Sequence, residues 1–182
     1  MKIKKISFLI LIVICSFFLS GCSDNIKEAG QDITGTTNVK ETIVSEDFDE
    51  NGVGMLKCST EAYAEEGMDV ELRYTLKYNS GNILELVSVQ KVISDKQDSL
   101  TVYEDAYKDI ADNYNGLDYY DTSIVRDGNS VSYTAVINYE KININKLLSI
   151  EGAEDNIIKN GKAKLSLWLD LASKVGTVCE EV

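Results

Sequence analysis

The chain contains no histidine and no proline. Without an imidazole it lacks the usual general base near neutral pH, the commonest metal ligand and every histidine-dependent triad, which argues against hydrolytic and zinc chemistry. With no proline and only 12 glycines in 182 residues, a collagen-like chain is excluded. Basic groups are also scarce: 18 Lys and Arg stand against 30 Asp and Glu, a net charge of -12. Three of those lysines lie in the first 21 residues, so a chain that has lost them carries 15 basic and 30 acidic groups, a net charge of -15. Such a surface repels phosphate backbones, and no nucleic-acid partner is expected. A permanent transmembrane helix is not expected at the amino terminus either. A hydrocarbon core ~30 Å thick needs roughly 20 apolar residues to cross it. The run Ile6 to Leu19 has 14, two of them serines.

That run has another reading. Lys2, Lys4 and Lys5 precede it as a basic n-region, and the apolar stretch has the length of the h-region of a secretory signal. It ends in Leu19-Ser20-Gly21-Cys22. This resembles the lipobox of bacterial lipoprotein signals, an apolar residue and two small ones before the cysteine that is acylated. The resemblance implies cleavage between Gly21 and Cys22, with Cys22 as the lipid-bearing first residue of the mature chain. An anchor of two or more acyl chains, at ~0.8 kcal/mol per buried methylene, holds where a single chain would exchange. The implied location is the extracytoplasmic face of a cell membrane, with the membrane a partner through the lipid. Ordinary secretion past a chance cysteine is the alternative.

Residues 23–52 hold eight acids, two lysines and almost no apolar periodicity, which reads as a flexible acidic linker. Thirty residues of such coil reach roughly 30 Å on average and about 100 Å when stretched. Glu46, Asp47, Asp49 and Glu50 could hold a divalent cation, but solvated linker charge is the simpler reading.

Residues 53–182 suit one globular domain. Val70, Leu72, Tyr74, Leu76 and Tyr78 alternate with polar residues, a period of two that predicts a strand with one buried face. Asn79-Ser80-Gly81-Asn82 is turn chemistry, and Ile83 to Ile93 completes a hairpin. A second hairpin is predicted from Tyr119 to Tyr139, turning at Asp127-Gly128 in a type I′ turn. Val53 to Thr60 is placed as an edge strand. Between the hairpins, Leu100, Tyr103, Tyr107, Ile110 and Tyr114 mark an amphipathic helix. Asp98 or Ser99 is its expected cap, and Asn115-Gly116 its end. Leu165, Trp168, Leu169, Ala172 and Val175 fit a second helix, although Leu165, Leu167, Leu169 and Leu171 alternate as a strand would. The fold class is therefore α+β: a twisted antiparallel sheet of four to five strands with helices packed on one face.

If Cys15 leaves with the signal and Cys22 carries lipid, Cys58 and Cys179 remain for the exported domain. Two thiols 121 positions apart in an oxidising compartment suggest one structural disulfide. Buried free thiols, or a redox or metal role, are the alternatives, and no Cys-x-x-Cys spacing supports the last.

The set of features, a lipobox, an acidic linker, Leu56-Lys57-Cys58-Ser59 early in the domain and Val175-Gly176-Thr177-Val178-Cys179 at its end, resembles the small bacterial lipoproteins of the YehR type. The resemblance spans roughly residues 53 to 182. That family has no established biochemical activity, so the likeness implies a fold and an address and no reaction.

Candidate chemistry is thin. Asp112 to Asp118 gathers oxygens around Gly116 like a calcium loop, but with Gly116 at the sixth position Ala111 falls at the first and Thr122 at the twelfth. The segment reads as a helix cap and turn. Glu61, Glu65, Glu66, Asp69 and Glu71 lie along an exposed stretch without the contrast of environments that a carboxylate pair needs. Most of the ten tyrosines fall at core-facing positions, with Tyr119-Tyr120 the most exposed cluster, and Trp168 reads as a core anchor. No catalytic residue, metal site or cofactor is assigned. The expectation is a non-enzymatic envelope protein that binds a protein partner or a small ligand. A pocketless structural module is the alternative, and a carboxylate enzyme comes third.

Overall fold

The computed structural model describes residues 44, 48–65, 67–152 and 156–182, with 61–65 described by backbone alone. Alternation of apolar and polar side chains organises the centre. Strand β1 (Val53–Glu65) pairs with β2 (Met68–Asn79), and β2 pairs with β3 (Asn82–Ser94). All six apolar positions of β2, from Met68 to Tyr78, are buried, while Asp69, Arg73 and Lys77 between them are exposed. The β2–β3 loop is Ser80-Gly81, with φ of 50° and 71°. Positive φ at both central residues is the signature of a type I′ turn. The turn is braced from outside, because Ser80 N–H donates to Gly52 O and Gly81 N–H to Glu50 O.

Helix α1 (Gln97–Asn113) follows, burying Leu100, Tyr103, Tyr107 and Ile110 as the spacing predicts. Its cap differs from expectation. The capping position is Lys96, without a side-chain bond, and Asp98 and Ser99 lie inside the first turn. Ser94 Oγ accepts the Lys96 N–H instead. Strands β4 (Tyr120–Asp127) and β5 (Ser130–Asn138) form the second hairpin. Here the loop is Gly128-Asn129 rather than Asp127-Gly128, and positive φ falls on Gly128 alone, the sign pattern of type II′ rather than I′.

The remaining chain forms helix α2 (Ile144–Glu151), a small hairpin of β6 (Ile158–Lys159) and β7 (Lys162–Ala163), helix α3 (Leu165–Ser173) and strand β8 (Thr177–Glu181). The order in the main sheet is β4-β5-β3-β2-β1-β8, antiparallel throughout, an open and twisted six-stranded sheet. The fold is α+β with its helices on one face, and the sheet has one strand more than the four to five expected. The extra strand is β8, which pairs Leu56–Thr60 with Thr177–Glu181, so the segment placed as an edge is covered there. The leucine-rich stretch is helical because its buried residues, Leu165, Trp168, Leu169 and Ala172, recur at three and four. Trp168 is 2% exposed and meets Tyr74 edge-on at 5.2 Å between ring centroids.

Strand β8 is held at three places. Cys179 lies directly opposite Cys58 with Cα atoms 4.0 Å apart, and the two sulfurs are bonded. At one end Thr60 and Thr177 share a hydroxyl hydrogen bond of 2.8 Å. At the other, Tyr78 Oη donates to Glu181 Oε1 at 2.8 Å. That last bond crosses Gly54, where a Cβ would sit 2.6 Å from Tyr78 Oη, so only glycine lets the phenol pass. Phe48 packs edge-on against Tyr78 at 5.6 Å, and Val44 and Phe48 both touch the core, so the chain joins the folded body ahead of Val53.

A bond closing a loop of 121 positions restricts the unfolded chain strongly. The Cys58→Ser/Cys179→Ser variant should lose about 4 to 5 kcal/mol in chemical denaturation. Reductant should lower the wild-type curve toward it, and coincident curves for all three samples would show that the bond contributes nothing.

Candidate functional site

The end of α1 and the start of β4 build the candidate site. Tyr114 closes the helix, with its N–H donating to Ala111 O, and Gly116 turns the chain at φ of 74°. Leu117 N–H then donates to Tyr114 O, and Tyr120 N–H to Leu117 O. Asp112 to Asp118 is thus a helix end and turn, as its register implied. Between turn and strand, Tyr119 sits at φ of 66°, a left-handed conformation uncommon outside glycine. It is fixed there by Asn138 N–H, which donates to Tyr119 O. Of the predicted exposed pair only Tyr119 is exposed, at 50%, and Tyr120 points into the core. The Tyr120 ring stacks on Tyr114 at 4.0 Å with 5° between planes.

These residues line an open groove of about 690 Å³ with Asp112, Tyr114, Leu117, Asp118, Tyr119 and Asp121 in its walls. Among the described residues, no cation lies within ion-pair distance of Asp112, Asp118 or Asp121. Two lysines border the segment. The Lys141 ammonium stands 5.7 Å from the Tyr119 ring centroid, a cation–π distance, and Lys146 Nζ donates to Gly116 O. The groove therefore offers the carboxylates of Asp112, Asp118 and Asp121, a chemistry suited to ammonium or guanidinium groups, while its exposed ring and the Gly116 carbonyl hold the chain's own Lys141 and Lys146.

Behind the groove lies a carboxyl that sequence reasoning passed over. Glu151, the last residue of α2, accepts a hydrogen bond from Tyr114 Oη at 3.2 Å. Burial pushes its pKa from 4.5 up to about 7, and the Tyr114 bond pulls it down in part. The Tyr120 ring stacks on Tyr114, and the Tyr120 and Tyr133 phenols lie near enough to the carboxyl to feel its charge. Burial pushes the Tyr133 phenol up to about 12, and raises Tyr114, Tyr120 and Tyr139 as well, with the Glu151 charge adding to each. Nothing local in Ile144–Glu151 marks this glutamate. The phenols around it, Tyr114, Tyr120, Tyr133 and Tyr139, come from other parts of the chain.

The other candidates disperse. Gly21 and Cys22 lie outside the described residues, as do Glu46, Asp47 and Glu66, and the side chains of Glu61 and Glu65. Asp49 closes a turn, with its Oδ1 accepting from Asn51 N–H. Asp69 is exposed, and Glu71 pairs with Arg73 at 2.9 Å on the wet face of the sheet. Cys58 and Cys179 are buried in the sheet and joined to each other.

A carboxyl whose folded pKa is raised binds more protons folded than unfolded. Its contribution to stability is present below pH 4.5 and is lost as pH rises through about 7. Relative to Glu151→Gln, the wild-type chain should therefore lose about 3 kcal/mol between pH 4.5 and pH 8. Denaturation curves of the two proteins across that range would check this, and a constant difference would rule it out.

No family model matches the chain, and no curated protein matches it in sequence. Two solved structures are similar to this chain. One is an NMR structure of a protein from Streptococcus pneumoniae TIGR4, at 14% identity and a TM-score of 0.46, over 90% of this chain and 100% of that one. The other is the NMR structure of the E. coli YehR protein, at 12% identity and a TM-score of 0.50, over 71% of this chain and 91% of that one. The fold is YehR-like, as the sequence resemblance implied.

Proposed function

We propose that this chain is a lipid-anchored, extracytoplasmic envelope protein whose folded part binds a partner without transforming it. The observation that carries this reading is the order of Lys2, Lys4 and Lys5, the apolar run Ile6 to Leu19 and Leu19-Ser20-Gly21-Cys22 ahead of a domain with one disulfide. A bond between buried cysteines suits an oxidising compartment. No helix among the described residues is long and apolar enough to cross a membrane, so in this reading attachment rests on the lipid at Cys22. The groove between α1 and β4 favours a binding domain over a pocketless spacer. A non-enzymatic role is supported by the lack of histidine and by the spread of the carboxylates, with Glu71 paired to Arg73 on the wet face and Glu151 behind the groove.

The anchor is tested by growth with labelled palmitate. The wild-type chain should take up label and sediment with membranes, whereas Cys22→Ala should remain an unlabelled precursor. Equal labelling of the two would overturn the anchor.

A further inference from the structure

The two edges of the sheet are managed differently. Strand β8 is five residues long and is fixed to β1 by the disulfide. Strand β4 is eight residues long, pairs with β5 without a register shift, and has no strand of the described residues on its other side. An edge of this kind presents alternate unpaired N–H and C=O groups, and proteins commonly protect it with charged residues, proline or a bulge. Tyr120–Asp127 has no proline and no bulge, and its one basic residue, Arg126, turns to the helix side, where it bonds Gln97 and pairs with Glu104, so the charge left on the outer face is acidic. Its wet-face residues are Asp121, Ser123, Val125 and Asp127, with Val125 56% exposed.

The acids decide which strand this edge accepts. In an antiparallel pair of two β4 strands centred on Ile124, Asp121 of each copy would oppose Asp127 of the other, and like charges directly opposite are destabilising. A basic strand reverses the sign. Asp121 and Thr122 also line the groove, so edge and groove are continuous, and Asp112 and Asp118 extend the acidic surface. The chain's own Lys141 over Tyr119 and Lys146 on Gly116 O show that ammonium groups settle at the rim of this groove, which leaves the carboxylates for a partner's cation.

We propose that the outer edge of β4, with the groove at its amino-terminal end, docks an extended basic segment of a partner protein. The segment adds to the sheet as a seventh strand and places a lysine or arginine side chain in the groove. This deepens the reading of the domain as a binding module and rests on it, but not on the lipid anchor.

The test uses the full-length chain purified in detergent and isotopically labelled, with acetyl-(Lys-Thr)4-amide as probe and acetyl-(Glu-Thr)4-amide as control. The basic peptide should shift amide signals of 118–127, slow hydrogen exchange along β4 and bind more weakly as salt is raised. The control should do none of these. Asp121→Asn/Asp127→Asn should weaken binding about tenfold with an unchanged melting temperature. Equal binding of both peptides would overturn the proposal. So would groove shifts without protection of β4, which mean a small-cation site, or protection that grows with protein concentration alone, which means a second copy. In-cell crosslinks to a partner at some other surface would overturn the docking site while keeping the binding module.

Discussion

Burial of one face of the antiparallel sheet is the constraint on which the rest depends. Leu56, Leu72, Tyr74, Leu76, Tyr78, Val92, Val131 and Ile137 come from β1, β2, β3 and β5, and all are less than a tenth exposed. Each such side chain contributes roughly 1.5 to 3 kcal/mol when taken from water. That gain requires something to lie on the face, and α1 and α3 supply it with Leu100, Tyr107, Leu165 and Leu169, all fully buried. The opposite face stays wet and carries the ion pairs Arg73–Glu71 and Lys77–Glu85, which are exposed and contribute little.

Tyrosine gives this core its character. A buried phenol brings a large apolar ring and a hydroxyl that must find a partner. Tyr78 spends its hydroxyl on Glu181 and so helps to hold the edge strand. Tyr114 spends its own on Glu151 and so ties the end of α1 to the end of α2. The second use places a carboxyl in a poorly solvated position, where its proton is held near neutrality. The Tyr114–Tyr120 stack belongs both to this network and to the groove, so the wall of the candidate site is also part of the core.

The sheet edges show the same economy of means. At β8 a disulfide, a threonine pair and a phenol–carboxylate bond add to the ladder bonds of a five-residue strand. At β4 the edge is left regular and acidic, which discourages self-pairing and leaves backbone groups available.

Much of this was legible because periodicity is local. The alternation of Val70 to Tyr78 and the spacing of Leu100 to Tyr107 follow from which way successive side chains point, and neither needs knowledge of a partner. The pairing of Cys58 with Cys179 was suggested by counting thiols. Tertiary structure decided what depends on distant chain: that Thr177–Glu181 is a strand, that Val53 to Thr60 is an inner strand along most of its length, and that the hairpin turns of types I′ and II′ fall where they do. It also settled the leucine-rich stretch in favour of the expected helix over the alternating strand, since Leu165, Trp168, Leu169 and Ala172 are the residues it buries. Glu151 illustrates the division most plainly. Its identity is written in the chain, but its proton affinity comes from phenols and helices brought around it by folding, because desolvation is a property of the surroundings and not of the residue.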